Sequence, residues 1–190
     1  MIRKITNYIH YQFLKILKPE IIGNPKRFQS FIGGHVGISN TTHIYFEGEY
    51  LTIGKNVFIG HFNYIDAKND FIKIGNHVQI TNYCNILTHS SHHSIRFPGI
   101  SQSLKASIPS LNRIDKVIIG DYVYVGPHSI IMPGSTIGKG SIVSAYTFVD
   151  GNYPDYSILR GQPAKVIGST KDIDLKIMEE FPELISVHFN

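Results

Sequence analysis

The residues of this chain best suited to chemistry lie in one short run, Thr88-His89-Ser90-Ser91-His92-His93. Histidine is the side chain whose ordinary pKa lies nearest neutrality, so it suits a general base that takes up a proton during a reaction. The run therefore predicts a site of proton transfer, with hydrogen bonding inside a turn as the alternative for some of its histidines.

This run interrupts a sequence that repeats every six residues. From residue 119 to residue 150 an aliphatic residue recurs at this interval, glycine often follows it, and a small or β-branched residue stands four places later. The period matches neither a helix face nor the alternation of a hairpin strand. It is typical of a solenoid in which three six-residue units form one triangular coil. A β-sandwich, the alternative, needs more widely spaced turns. The aliphatic positions are Ile119, Val125, Ile131, Ile137, Val143 and Val149.

The same period occurs earlier in two blocks, which Phe71-Ile72-Lys73 put out of register by three residues. We interpret this insertion as a bulge or widened turn in one coil. After the second block the next aliphatic position is residue 92, which is a histidine, and the repeat is absent from there to residue 116. The sequence thus predicts a loop over 92–116, extruded from the solenoid, and such loops usually carry function. The blocks are Ile53, Ile59 and Ile65, and Ile74, Ile80 and Ile86.

Both ends of the chain have helical patterns. Apolar residues recur near helical spacing before Pro19 and alternate with basic ones, which predicts an amphipathic helix over residues 1–20. We expect this helix to pack on its own domain or a neighbouring subunit, with peripheral contact to an anionic membrane surface as the alternative. The solenoid domain is predicted over 30–168, and a C-terminal helical segment over 170–190 is expected to flank its open end.

Composition excludes several classes of function. The formal charge is +4, with 18 basic against 14 acidic residues, and no Lys/Arg cluster recurs along the repeats, so we expect no nucleic-acid partner. Cys84 is the only cysteine and occupies a small inward position, so no disulfide forms within the chain. No apolar run is long enough to cross a bilayer, and the N-terminus lacks a signal peptide's apolar core. We therefore expect a cytoplasmic protein, with association at the inner membrane face left open.

Three motifs in the repeat region carry a family resemblance. Together with the histidine run, Val123-Tyr124-Val125-Gly126, Pro133-Gly134-Ser135-Thr136-Ile137-Gly138 and Gly161-Gln162-Pro163-Ala164-Lys165-Val166-Ile167 resemble the hexapeptide-repeat acyltransferases over about residues 50–168. The branch most similar contains galactoside, maltose and capsular-polysaccharide O-acetyltransferases. The resemblance implies an all-β fold, a left-handed parallel β-helix, which is a rare exception to right-handed crossovers. It also implies a homotrimer that binds acetyl-CoA between adjacent subunits.

The resemblance further implies roles for individual residues. His92 matches the catalytic base, and His89 competes with it because one extra serine stands in Ser90-Ser91. The cofactor contacts implied are the backbone at Pro127 and Ala145 and the side chain of Lys165 near the CoA phosphates. Tyr124 replaces the family's tryptophan and keeps an aromatic wall. The predicted acceptor contacts are Asn63, His93, Arg96 and Tyr124.

The predicted reaction is direct transfer of an acetyl group from acetyl-CoA to a hydroxyl of a sugar or polysaccharide, with no metal required. Cys84 is not expected to carry the acyl group, because its position points inward. One alternative is a zinc enzyme like the gamma-type carbonic anhydrases, with His61, His89 and His92 or His93 as ligands. The others are an antibiotic acetyltransferase and a non-catalytic β-helix scaffold.

Overall fold

The chain winds around three parallel β-sheets, and each coil adds one strand to each sheet. Coils are counted from the one that begins with the strand β3 (His43–Phe46). The computed structural model describes residues 19–23 and 32–186. The predicted left-handed parallel β-helix is confirmed for this part of the chain. Successive strands within one sheet pair in parallel register, so equivalent residues of neighbouring coils stand above one another.

The first sheet contains β1 (Glu20–Ile22), β3 (His43–Phe46), β6 (Tyr64–Ala67), β9 (Asn85–Leu87), β14 (Ile130–Ile131) and β17 (Phe148–Val149). The second contains β4 (Leu51–Ile53), β7 (Ile72–Ile74), β12 (Val117–Ile119), β15 (Thr136–Ile137) and β18 (Asn152–Tyr153). The third contains β2 (Gly37–Ile38), β5 (Phe58–Ile59), β8 (Gln79–Ile80), β13 (Tyr124–Val125), β16 (Ile142–Val143), β19 (Ser157–Arg160) and the antiparallel β20 (Lys165–Ser169). A separate two-stranded ribbon pairs β10 (His89–Ser90) with β11 (Arg113–Ile114).

The aliphatic residues of the repeat form the core. In the third sheet Val125 stands between Ile80 and Val143, and all three are fully buried. Each buried side chain of this size stabilises the fold by about 1.5–3 kcal/mol. Glycine follows the aliphatic residue because the coils nearly touch there: a Cβ at Gly126 would lie 2.6 Å from the backbone nitrogen of Ala145. The six-residue period is thus a packing requirement of the stacked coils.

The inserted residues lie at the corner between the first and second sheets. The prediction of one widened turn is wrong, because two successive coils are widened there in matching register, as the pairs Phe46↔Ala67 and Leu51↔Ile72 show. Two equally long coils leave every strand in register with its neighbours, so the insertion disturbs no sheet. The third passage of the chain through this corner carries the extruded loop.

The chain leaves the core earlier than the repeat predicts. Thr88 is fully buried, and its hydroxyl donates to the carbonyl oxygen of Asp66 at 2.8 Å. His92, at the position where the six-residue period breaks, is exposed. Beyond the ribbon of β10 and β11, the loop covers residues 91–112 and contains the short helix α1 (Gln102–Ser107) and two 3-10 turns, Ser94–Arg96 and Pro109–Leu111.

The termini agree in part with the predicted helices. Residues 1–18 lie outside the described part, so the N-terminal helix stays a prediction, and its end at residue 20 is wrong because Glu20 begins β1. The C-terminal helix is α2 (Thr170–Glu180), capped by Ser169, whose hydroxyl accepts from the backbone N–H of Lys171 at 3.2 Å. Within residues 19–23 and 32–186, no helix has the length and apolar character needed to cross a membrane.

Candidate active site

The histidine run lies at the base of the extruded loop. We call this region the neck; it consists of the ribbon of β10 and β11 and the residues 91–96 that follow β10. β10 pairs antiparallel with β11, which places His89 opposite Ile114 and Ser90 opposite Arg113. The Arg113 guanidinium donates two hydrogen bonds to the Asp150 carboxylate, at 3.0 and 2.6 Å. These bonds raise the pKa of Arg113 above its ordinary value. Asp150 follows β17 of the fifth coil, so this ion pair fixes the neck against a coil that lies 37 residues later in the chain.

A short corner in the fourth coil makes room for the neck. The backbone N–H of Gly134 donates to the carbonyl oxygen of Lys116 at 3.0 Å. A Cβ at Gly134 would lie 2.9 Å from a carboxylate oxygen of Asp115, and the residue has φ +80°. The positive φ favours glycine at this position, and any side chain there would also have to displace the Asp115 carboxylate.

His92 has one ring nitrogen engaged and the other available. Its Nδ1 lies 2.8 Å from Oγ of Ser90, and its ring centroid lies 4.0 Å from that of His93. Nε2 has no hydrogen-bond partner in the part of the chain that the structure describes. His89 is half-buried within β10. An exposed imidazole held through one nitrogen is suited to general-base chemistry at the other.

The predicted site residues fall into two groups at different corners of the β-helix, which has the shape of a triangular prism. His93 and Arg96 are exposed and share the loop neck with His89 and His92. Tyr124, by contrast, lies in the third sheet and is 37% exposed. The loop leaves from the corner between the first and second sheets, so one protomer does not bring the two groups together. The second group comprises Tyr124, Pro127, Ala145 and Lys165.

The second group offers backbone hydrogen-bonding groups and positively charged side chains. Pro127 and Ala145 occupy equivalent places in successive coils, where the N–H of Tyr146 donates to the Pro127 carbonyl at 2.9 Å. The N–H of Ala145 makes no hydrogen bond to any described residue. Lys165 pairs with Arg160 across the antiparallel strands β19 and β20, so two exposed cations stand side by side. Arg160 was not predicted from the sequence, where its only signal was its position before the Gly161-Gln162-Pro163 motif.

An aromatic stack, which the sequence analysis also missed, lines the same corner between the third and first sheets. It consists of Phe62, Tyr83, His128 and Tyr146, with successive ring centroids 5.0, 4.8 and 4.7 Å apart. All four have positive φ, between 56° and 60°. Each stands three positions after the last residue of a strand of the third sheet. The signal in the sequence was an aromatic ring recurring at that corner position.

Asn63 requires a correction. Its side chain is 1% exposed, Nδ2 donates to the carbonyl oxygen of Thr81 at 2.7 Å, and Oδ1 accepts from the N–H of Cys84 at 2.8 Å. Both ends of the amide therefore brace the corner of the next coil. The expectation that Asn63 contacts an acceptor is wrong for this geometry, because the side chain does not face solvent.

Two further expectations concern Cys84 and the zinc alternative. Cys84 is fully buried, as predicted, and burial raises the pKa of its thiol. His61 lies at the corner between the third and first sheets, where its Nδ1 is 2.6 Å from Oγ of Ser39. It is therefore remote along the prism perimeter from the loop neck. Residues 19–23 and 32–186 contain no group of three His, Cys, Asp or Glu side chains arranged to hold a metal.

Comparison with known proteins places this architecture in a family. The family model for bacterial transferase hexapeptide repeats matches residues 116–151. A probable acetyltransferase of Mycobacterium tuberculosis is 33% identical over 151 residues, which cover 78% of this chain and 47% of that protein. Galactoside O-acetyltransferase of Escherichia coli is 30% identical over 134 residues, which cover 69% of this chain and 60% of that protein. The chain belongs to the hexapeptide-repeat acyltransferases.

Solved structures support the same fold. The N-acyltransferase AntD from Bacillus cereus, in complex with dTDP and 3-hydroxybutyryl-CoA, superposes with a TM-score of 0.66 at 24% identity, covering 87% of this chain and 84% of that chain. At this identity the likeness concerns the fold alone. The chain spans about half the length of the Mycobacterium tuberculosis relative and about three fifths of the length of the galactoside O-acetyltransferase.

Proposed function

We propose that this chain is an acetyl-CoA-dependent O-acetyltransferase that acts on a hydroxyl of a sugar or polysaccharide. The observation that carries the proposal is His92, an exposed imidazole at the loop neck with Nδ1 held by Ser90 and Nε2 available. The galactoside O-acetyltransferase relative supports a sugar hydroxyl as acceptor. His89 remains the competing base, because it lies at the same neck.

In the proposed reaction, His92 acts at Nε2 as general base. It takes the proton of the acceptor hydroxyl while the hydroxyl oxygen bonds to the acetyl carbonyl carbon. The carbon–sulfur bond of the thioester then breaks, and the CoA thiolate recovers the proton from the imidazolium. Backbone N–H groups at the coil corners are suited to stabilise the oxyanion that forms between these steps. Attack on a thioester requires a base and oriented reactants rather than a Lewis acid.

The second group of residues fits acetyl-CoA. The N–H of Ala145 bonds to no described residue, and the carbonyl of Pro127 keeps one lone pair beyond the bond from Tyr146. The two present a donor and an acceptor along one corner, which suits the amide groups of pantetheine. Lys165 and Arg160 present adjacent positive charges, which suit the CoA phosphates. The extruded loop, with His93 and Arg96 near its root, is proposed to shape the acceptor pocket and exclude water from the thioester.

We further propose a homotrimer with its sites between subunits. One protomer separates the base from the predicted cofactor residues, so a second copy must supply the missing half of each site. The third sheet and its corner with the first sheet expose a band of large rings, including Phe58 (49%) in β5 and Phe62 (53%) and Tyr146 (61%) at the corner. Exposed apolar bands of this kind mark protein interfaces. Light scattering at micromolar concentration should give the mass of three chains, and a monomer would refute the shared site.

The test of the reaction is CoA release monitored by a thiol reagent. Release should require both acetyl-CoA and an acceptor, and a panel of sugars, amino sugars and chloramphenicol would separate O-acetylation of sugars from the alternatives. His92→Ala should lower the rate by about a hundredfold or more. His43→Ala, which changes an exposed histidine on the first sheet, is the control and should keep full activity.

Two results would redirect the proposal. Loss of activity in His89→Ala with full activity in His92→Ala would make His89 the base. Loss of activity with a chelator and its recovery with zinc would favour the zinc enzyme instead, with His61, His89 and His92 tested first as ligands.

A further inference from the structure

His92 is held by a residue two positions before it in the chain. The Oγ of Ser90 lies 2.8 Å from Nδ1 of His92, a distance typical of a hydrogen bond. Within one protomer His92 is exposed and little packing restricts its ring, so this bond is the main contact there that directs Nε2. The ring of His93 restricts it from one further side, with centroids 4.0 Å apart.

Ser90 itself is fixed by the rest of the fold. It pairs with Arg113 across the ribbon, and the Arg113 guanidinium is bound through two hydrogen bonds to Asp150 of the fifth coil. The next residue, Ser91, contributes its carbonyl oxygen, which accepts from the N–H and the hydroxyl of Ser94 at 3.0 and 2.9 Å. Ser90 thus connects the rigid solenoid to the imidazole, whereas Ser91 closes the following turn through its backbone.

We propose that Ser90 is a positioning residue for the base, an inference that rests on the proposed function. In the resting protein Nδ1–H donates to Oγ of Ser90, which leaves the lone pair of Nε2 free for the acceptor proton. When Nε2 takes that proton the ring becomes positively charged, and the bond from Nδ1–H to Oγ becomes charge-assisted and stronger. Ser90 therefore stabilises the state that forms as the hydroxyl attacks more than it stabilises the resting state.

The same geometry has a second chemical interpretation that the experiment must separate. A serine hydroxyl within hydrogen-bond reach of an imidazole is also the arrangement of a nucleophile and its base. In that case Nδ1 would remove the Ser90 proton, Oγ would form an ester with the acetyl group, and CoA would leave before the acceptor binds. The positioning role predicts that no such acetyl ester forms.

The kinetic test compares Ser90→Ala, Ser90→Thr and the matched neighbour Ser91→Ala. Ser90→Ala should lower kcat by about tenfold, the order of effect of one hydrogen bond on an equilibrium constant. KM for acetyl-CoA should change little, because Ser90 orients the base and is not among the predicted cofactor contacts. Ser90→Thr keeps the hydroxyl and should recover most of kcat, and Ser91→Ala should keep it fully.

The spectroscopic test does not depend on activity. In protein labelled with ¹⁵N-histidine, the His92 signals, assigned by their loss in His92→Gln, should show one tautomer with the proton on Nδ1. Ser90→Ala should show a mixture of both tautomers. Equal kcat in Ser90→Ala and the unchanged protein, identical His92 tautomers in both, or an acetyl group found on Ser90 by mass spectrometry would each overturn the proposal. A protein inactive with every acceptor would refute the proposed function, and the tautomer measurement would still decide the role of Ser90.

Discussion

Removal of the Arg113 side chain should loosen the loop neck and misplace the base. The Arg113–Asp150 pair is bidentate, with N–O distances of 3.0 and 2.6 Å, so its hydrogen bonds are charge-assisted. Both side chains are about one third exposed, at 35% and 32%, and solvent therefore screens the pair substantially. We expect a coupling free energy of about 1 kcal/mol, the upper end of the range for partly exposed pairs.

The measurement is a double-mutant cycle on Arg113→Ala, Asp150→Ala and the double variant, with urea unfolding at one fixed protein concentration. The coupling free energy should fall as salt rises, because the Debye length shrinks from about 30 Å at 0.01 M to about 3 Å at 1 M. Expressed as a free energy, the loss of kcat should exceed the loss in free energy of unfolding. A displacement of about 1 Å in a reacting group can lower the rate on the order of a hundredfold. We expect Arg113→Ala to lower kcat about tenfold, which is within that limit.

The control is Lys116→Ala, which removes the same charge near the neck without breaking an ion pair between described residues. It should leave kcat and the urea midpoint nearly unchanged. Additive free energies across the cycle at low salt, or equal losses of kcat in Arg113→Ala and Lys116→Ala, would refute the idea that this ion pair positions the histidine run.

Two further predictions test the solenoid itself. Gly126→Ala should destabilise the protein by about 3 kcal/mol or prevent folding, because the new Cβ would lie 2.6 Å from the backbone nitrogen of Ala145; thermal melting should show a much smaller loss for Gly48→Ala, where φ is +56° but nothing lies within 4 Å. Equal losses would contradict the packing explanation of the repeat. Cys84 should resist iodoacetamide at pH 8 in the native protein and react after denaturation, because burial both blocks access and raises the pKa of its thiol. Rapid labelling of the native protein would refute its inward position.

The spacing of residues predicted those parts of the molecule that depend on local geometry. Each side of a coil takes six residues and turns one aliphatic residue inward. A six-residue period in the sequence therefore becomes a stack of aliphatic residues in space, and this spacing was enough to assign Ile80, Val125 and Val143 to the buried core. The interruption of the period predicted the loop, and the histidines near that break predicted its chemistry. Whether His92 or His89 acts as the base, and where the cofactor binds, are still predictions.

Only the tertiary structure decided which polar groups meet across coils. Both ends of the Asn63 amide form hydrogen bonds to residues of the next coil, about 20 residues later in the chain. Arg113 donates to the carboxylate of Asp150, which is 37 residues away. Such pairs leave no periodic signal, because their partners depend on the exact length of every intervening corner. The chain likewise leaves the coil after Thr88, which is buried, and His92 beyond it is exposed. A six-residue period thus determines the prism, and the lengths of its corners determine which side chains face solvent and are free to do chemistry.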